Sequence, residues 1–307
     1  MTMPGGFGRA VAFILLAILL FDIQGAIIKL LGDRYPVPQM ATLRNIFGLI
    51  PALLLVYGST RGRRGLDRFR LDKWPLALGR GACIAVAQFC FYLSLTRMEF
   101  ATASTLAFAG PLFITALSVP ILRHQVGIVR WIAVVLGFVG IVLVMRPQDD
   151  VFQWISLLPI GAAFGYGLSS VLVRLFDDHS STAVINLHAT LAALACSGTL
   201  MMVLGDHVPV ASLIDWAWML AMGLVGGCAV FCLIAAYRLT QPSNLSPFEY
   251  FGIPFSFIIG WFFFDEAPFN RLIPGVFLIV GGGLIIVWRE RKRERQPVST
   301  PRPGKQV

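Results

Sequence analysis

Charge is what this chain has least of. Only 13% of its 307 residues are Asp, Glu, Lys or Arg, about half the share found in soluble domains. Histidine occurs four times and cysteine five. The cysteines Cys83, Cys90, Cys196, Cys228 and Cys232 form no CxxC pair. Neither a disulfide framework nor a zinc site is indicated. The chain has no phosphate-binding GxxxxGK[ST] loop, no HExxH and no nucleophile elbow. Those absences disfavour an ATP-driven pump and a membrane enzyme. No cofactor and no metal are expected.

Long apolar runs are what the chain has in plenty. It is 57% hydrophobic, with a mean hydropathy of +0.76. Ten runs are long enough to cross a hydrocarbon core of roughly 30 Å. They are Ala10–Leu31, Pro38–Tyr57, Pro75–Thr96, Phe100–Leu122, Ile128–Met145, Trp154–Arg174, Thr182–Leu204, Leu213–Tyr237, Ser246–Phe264 and Leu272–Trp288. The expected fold is all-α, a polytopic membrane protein of ten transmembrane helices. Only Arg97–Glu99 separates the third run from the fourth, so a tight turn is expected there. The first run exceeds a usual signal-peptide core and no small-x-small site follows it, so it reads as a membrane helix.

A net charge of +9 would suit nucleic acid, but its distribution points to lipid. With the N-terminus inside, 18 basic residues fall on cytoplasmic segments and 4 on external ones. That bias places both termini in the cytoplasm of a cell inner (plasma) membrane protein. Trp74, Trp154, Trp216, Trp218 and Trp288 sit at run ends, as an interfacial belt does. The tail 291–307 is basic and expected to be disordered, within reach of anionic lipid.

The chain repeats itself weakly. At a shift of 143, Phe108–Pro111 (FAGP) falls on Phe251–Pro254 (FGIP), and Gly140–Arg146 on Gly283–Arg289. At a shift of 145, Lys29–Asp33 falls on Arg174–Asp178. Two five-helix units follow, 1–150 and 151–290. Because five is odd, the second enters the membrane from the opposite side. Inverted repeats of this kind build many secondary transporters.

Several stretches together resemble the drug/metabolite transporter superfamily, in its ten-helix EamA-type branch. They are Thr42–Gly48 (TLRNIFG), the hairpin Phe91–Leu117, the glycine-patterned Arg130–Pro147, and Leu245–Arg291. The resemblance covers nearly the whole chain, from about Ala10 to Arg289. It implies transport of a small organic metabolite. Members export amino acids and amphipathic drugs or import riboflavin and S-adenosylmethionine, so direction stays open. One departure is that Arg123–Gln125 (RHQ) stands where the family often has a glutamate, matching Glu266 in the second half.

Polar residues inside the runs mark a candidate site, since charge in a bilayer is costly and usually faces water or a partner. In Leu19–Pro36 (LLFDIQGAIIKLLGDRYP), Asp22 falls near the middle of an apolar run. Arg44 and Gln88 fall at a similar depth on the next two helices, at about 1.5 Å rise per residue. Tyr92 shares the stripe of Gln88. A hydrated cavity is expected, with Arg44 as the partner of Asp22. That pair reads as a structural lock or as a contact for substrate or a coupling proton, the remaining alternative being that the two side chains make no contact at all. In the second half, His188 and Tyr166 correspond to Arg44 and Asp22. Glu249 reads as a proton-linked carboxylate or an interfacial one. Phe108, Tyr166 and Tyr250 are lipid- or core-facing aromatics, or else cavity walls suited to an aromatic or heterocyclic solute. Gly223 and Gly227, Gly161 and Gly165, and Gly281–Gly283 are expected to let helices pack closely.

Secondary transport by alternating access is the leading function. A non-transporting receptor or scaffold is the outside alternative, and it leaves the repeat unexplained. The expected partners are the bilayer and a small-molecule metabolite, with a homodimer left open.

Overall fold

The computed structural model describes residues 6–59, 65–123, 128–145, 154–177, 180–205, 207–239, 245, 248–266 and 273–294. Among them there are helices and no strand. In chain order the α-helices are α1 (Gly6–Leu31), α2 (Val37–Ser59), α3 (Trp74–Arg97), α4 (Phe100–Ala107), α5 (Gly110–Leu122) and α6 (Ile128–Met145). Then come α7 (Leu157–Val173), α8 (Thr182–Leu204), α9 (Leu213–Leu239), α10 (Gly252–Phe264) and α11 (Gly275–Glu294).

Seven spans are long and apolar enough to cross a membrane, with shorter apolar helices at Trp131–Val144 and Gly252–Phe264. Ten membrane helices fit this architecture once α4 and α5 are counted as one span. In lipid every backbone polar group must be satisfied within its own segment, which leaves the helix as the form for such runs. The tight turn at Arg97–Glu99 is present: α3 stops at Arg97, Met98 is extended and α4 starts at Phe100. α11 carries the chain in helical form to Glu294, so the first residues assigned to the tail are helical. The remainder, 295–307, lies outside the described residues, as do part of the Arg61–Lys73 segment and Arg146 and Arg271.

Two features depart from straight spans. The run Phe100–Leu122 is broken at Phe108–Ala109, just before Gly110 and Pro111. A proline at the start of a helix lacks the N–H that would join it to the preceding turn. The second break is at Tyr250–Phe251, just before Gly252 and Pro254. The helices that follow, α5 and α10, each have 13 residues and end on a left-handed residue, Arg123 and Asp265 at φ 53°.

Packing is dominated by α1 on α9, α6 on α11, α3 on α7 and α8, and α2 on α8 and α9. Small residues allow it. A Cβ on Gly140 would lie 2.7 Å from the Gly275 carbonyl oxygen, and one on Gly275 would lie 2.5 Å from that of Gly140. These two backbones touch directly, as close membrane-helix packing requires. Leu54, Val86, Val135, Trp261 and Phe277 are among the large side chains left exposed around the bundle. Trp74, Trp154, Trp216, Trp218 and Trp288 are exposed too, as a belt requires.

The face at which α1 ends is closed by polar contacts. Lys29 pairs with Glu266 at 2.6 Å and donates to the Met98 carbonyl at 2.8 Å. The other Glu266 oxygen accepts the Phe100 backbone N–H at 2.7 Å, at the start of α4. Arg34 and Tyr35 both donate to Asp215, at 2.6 and 2.8 Å. Gln39 exchanges two 2.8 Å hydrogen bonds with the backbone of Val208. On the opposite face, where α1 begins, Lys73 pairs with Asp177 at 2.8 Å between exposed side chains.

Candidate functional site

α2 carries its polar and small residues on one stripe, Arg44, Gly48 and Pro51, and that stripe faces α8 and α9. A narrow cleft, with a cavity volume of about 20 Å³, runs from Arg44 along this stripe past Leu55, between Asn186 and Thr190 of α8 and Gly227 and Val230 of α9. It heads toward the face where α1 begins, away from the contacts that close the other face.

Arg44 stands at the head of the cleft. Its Nη1 donates to Asn45 Oδ1 at 3.1 Å, and its Nε is buried with no partner. No acidic side chain pairs with it among the described residues. Asn45 and Gln88 exchange amide hydrogen bonds at 3.1 and 3.3 Å, and Asn45 reaches Ser197 at 3.4 Å. Gln24 of α1 donates to the Tyr92 hydroxyl at 2.9 Å and leaves its own oxygen unpartnered. Gly226 makes the room: a Cβ there would collide with that Gln24 oxygen and lie 3.2 Å from Arg44 Nη2. Tyr92 and Tyr166 both lie within electrostatic range of Arg44.

Four helices thus bring one cation, three amides and two phenols to a single region. A guanidinium offers donors only, whereas an amide offers both donor and acceptor. The set can hold an anionic or carbonyl-bearing edge of a polar solute and satisfy its neighbouring groups.

The sequence-derived candidates sort unevenly. Arg44, Gln88, Tyr92 and Tyr166 come together. Asp22 is buried, but it does not pair with Arg44 as expected. α1 and α2 scarcely pack on each other, because α9 stands against both. Asp22 shares its face of α1 with Ile18 and Gly25, which look toward α4 and α10. Its Oδ2 has no partner. Phe108 lies with its ring against Gly252. Glu249 accepts a 2.5 Å hydrogen bond from Tyr237 near the face where α1 begins, apart from the Arg44 network. Tyr250 is buried with its hydroxyl unpartnered. His188 Nδ1 is spent on the Val184 carbonyl of its own helix at 3.0 Å.

Gln24, Asn45 and Ser197 went unselected from the sequence. For Gln24 and Asn45 the signal is an amide at the depth of the charged residues Asp22 and Arg44 in otherwise apolar runs.

The sequence pattern of the EamA-like transporter family matches twice, over residues 8–146 and 153–288. A riboflavin transporter of Vibrio cholerae serotype O1 is 26% identical over 285 residues, covering 92% of this chain and 95% of that one. An S-adenosylmethionine uptake transporter of Rickettsia prowazekii is 25% identical over 284 residues, covering 92% and 94%. The pseudopaline exporter CntI of Pseudomonas aeruginosa is 26% identical over 277 residues, covering 87% and 93%.

Proposed function

We propose, since the chain belongs to the EamA-like transporter family, that it works by alternating access and anchors its solute on Arg44 and the amides around it. The chain is a metabolite transporter of that family, and its relatives are transporters of riboflavin, S-adenosylmethionine and pseudopaline, which points away from an enzyme. Riboflavin and S-adenosylmethionine both carry fused rings. A heterocyclic solute flanked by Tyr92 and Tyr166 is the class we expect.

We read 1–150 and 151–290 as inverted five-helix repeats. The double family match supports this. So does the packing, which maps onto itself when the halves are exchanged. α1 on α9 becomes α7 on α3, α2 on α9 becomes α8 on α3, and α6 on α11 maps to itself. The matching breaks at Phe108 and Phe251 add a further correspondence. Discontinuous helices at the interface of repeats are how many carriers form a midplane site. We place the face where α1 begins in the cytoplasm of the inner membrane, from the bias of basic residues. The conformation is then open inward and closed outward.

The observation that carries the reading is a half-buried arginine, without an acidic partner among the described residues, at the head of a narrow cleft. The test is uptake of labelled riboflavin and S-adenosylmethionine by reconstituted vesicles. Arg44→Ala should abolish uptake while the protein still inserts and purifies. Arg44→Lys should keep part of it, as a point charge without the planar fork. Wild-type uptake by Arg44→Ala would refute the assignment. If neither compound moves, a thermal-shift screen of metabolites finds the ligand by its stabilisation of the folded state.

A further inference from the structure

Three helices meet beneath the closed face, and each carries one polar side chain between two apolar or glycine positions. The stripe on α1 is Ile18, Asp22, Gly25. Phe100 and Ser104 of α4 continue into Phe108, and α10 presents Gly252, Ser256 and Gly260. Spacings of three and four put each trio on one helix face.

Contacts at both ends fix the register. A Cβ on Gly252 would lie 2.9 Å from Phe108 Cε2 and 3.0 Å from Ile18 Cγ2. At the other end, a Cβ on Gly25 would lie 3.1 Å from Phe100 Cε2, and one on Gly260 would lie 3.7 Å from Phe100 Cβ. Asp22, Ser104 and Ser256 lie one turn in from these contacts. They therefore occupy one level, between the rings of Phe100 and Phe108.

All three are buried, at 8%, 2% and 0% exposure. Asp22 Oδ2 and Ser104 Oγ have no hydrogen-bond partner. Ser256 spends its proton on the Ile253 carbonyl at 2.9 Å, so its oxygen can only accept. The layer is rich in acceptors and holds a carboxylate that no cation among the described residues meets. Lys29 is committed to Glu266 and Met98. Arg44 belongs to the Asn45 network, beyond α9.

We propose that this layer is a subsite for a primary ammonium group of the transported solute. It deepens the transport reading and rests on it only in taking the interior as the solute's path. An ammonium has three donors and no acceptor, which matches three side chains that each present an oxygen. A calcium ion takes about six to eight oxygens and finds too few.

Dicyclohexylcarbodiimide modifies protonated carboxyls in apolar surroundings. Its adduct on Asp22 of the reconstituted protein can be followed by mass spectrometry. Ethylammonium chloride should slow that reaction roughly threefold at twice its dissociation constant. Sodium chloride and tetraethylammonium chloride at equal concentration should not. Ser104→Ala should erase the protection while Asp22 still reacts, with Ser256→Ala as the second variant if the first fails to fold. Protection by sodium instead of ethylammonium, a rate indifferent to every cation, or no reaction at Asp22 each overturns the proposal. The adduct forms without transport, so this subsite can fail while the Arg44 assignment stands, and the reverse.

Discussion

Lys29 and Glu266, 237 positions apart in the chain, are joined by a 2.6 Å ion pair that also caps the start of α4 through the second Glu266 oxygen. One carboxylate therefore ties the ends of α1 and α10 to the beginning of α4. The side chains are 15% and 21% exposed. Screening is partial, and the pair counts for more than a surface salt bridge.

Glu266→Gln should lower stability by about 1–3 kcal/mol, because it weakens charge-assisted hydrogen bonds to Lys29 and to the Phe100 N–H. The melting temperature in detergent reads this. Lys29→Glu alone should be worse, since two carboxylates would face each other. The exchange Lys29→Glu with Glu266→Lys should recover part of the loss. An unchanged melting temperature in all three would mean that the pair does not hold this face closed.

Gly226 and Gly223 should separate binding from folding. A methyl at Gly226 meets the terminal amide of the Gln24 side chain and approaches Arg44 Nη2. Gly226→Ala should leave melting nearly unchanged and weaken solute affinity roughly tenfold, the equivalent of about 1.4 kcal/mol. A methyl at Gly223 lies 3.1 Å from the backbone oxygen of Arg44 and the backbone nitrogen of Gly48. Backbone cannot step aside, so Gly223→Ala should cost about 1–3 kcal/mol of stability. Melting and binding on both proteins check the contrast.

Tyr35 gives the closed face an alkaline limit. Its hydroxyl donates to Asp215, and that bond, followed by burial and the carboxylate charge, pushes its pKa up. The unfolded chain gives up the phenolic proton first, near pH 10. The contribution is therefore complete below about pH 10 and is lost as pH climbs toward the raised value. Tyr35→Phe should flatten the fall of melting temperature between about pH 9 and 11. An identical slope in the variant would contradict this.

The orientation can be read with thiol reagents in a cysteine-free background. Asp67→Cys should resist a membrane-impermeant maleimide in intact cells, whereas Asp33→Cys should react. Both positions are exposed, on opposite faces. Asp67 is a better site than Gly65 two positions before it, whose φ of +60° would strain a cysteine. The reverse labelling pattern would invert the topology.

Depth was legible in the sequence, because hydropathy marks where each span starts and the helical rise does the rest. Arg44, Gln88 and Tyr92 were found that way, and they do share a region. Azimuth was not legible. Asp22 and Arg44 lie at compatible depths, yet α9 separates their helices, and a residue near position 225 cannot be seen from position 22. The same holds for Lys29, whose partner arrives from the end of α10. The break at Phe108 showed only as the FAGP and FGIP similarity. Gln24 and Asn45 matter through their bonds to Tyr92 and Gln88, and those bonds exist only after the helices have packed.

The contact between Gly140 and Gly275 has a mechanical consequence. A side chain pressed by its neighbour can change rotamer and yield, but a carbonyl against a backbone has no such slack. α6 and α11 are therefore expected to move together, as a keel laid along one edge of the bundle. One comes from each half, so the keel also fixes how far apart the halves can swing there. Under the alternating access proposed above, rocking would pivot at that edge and be widest across the bundle, where Arg44 and the cleft lie.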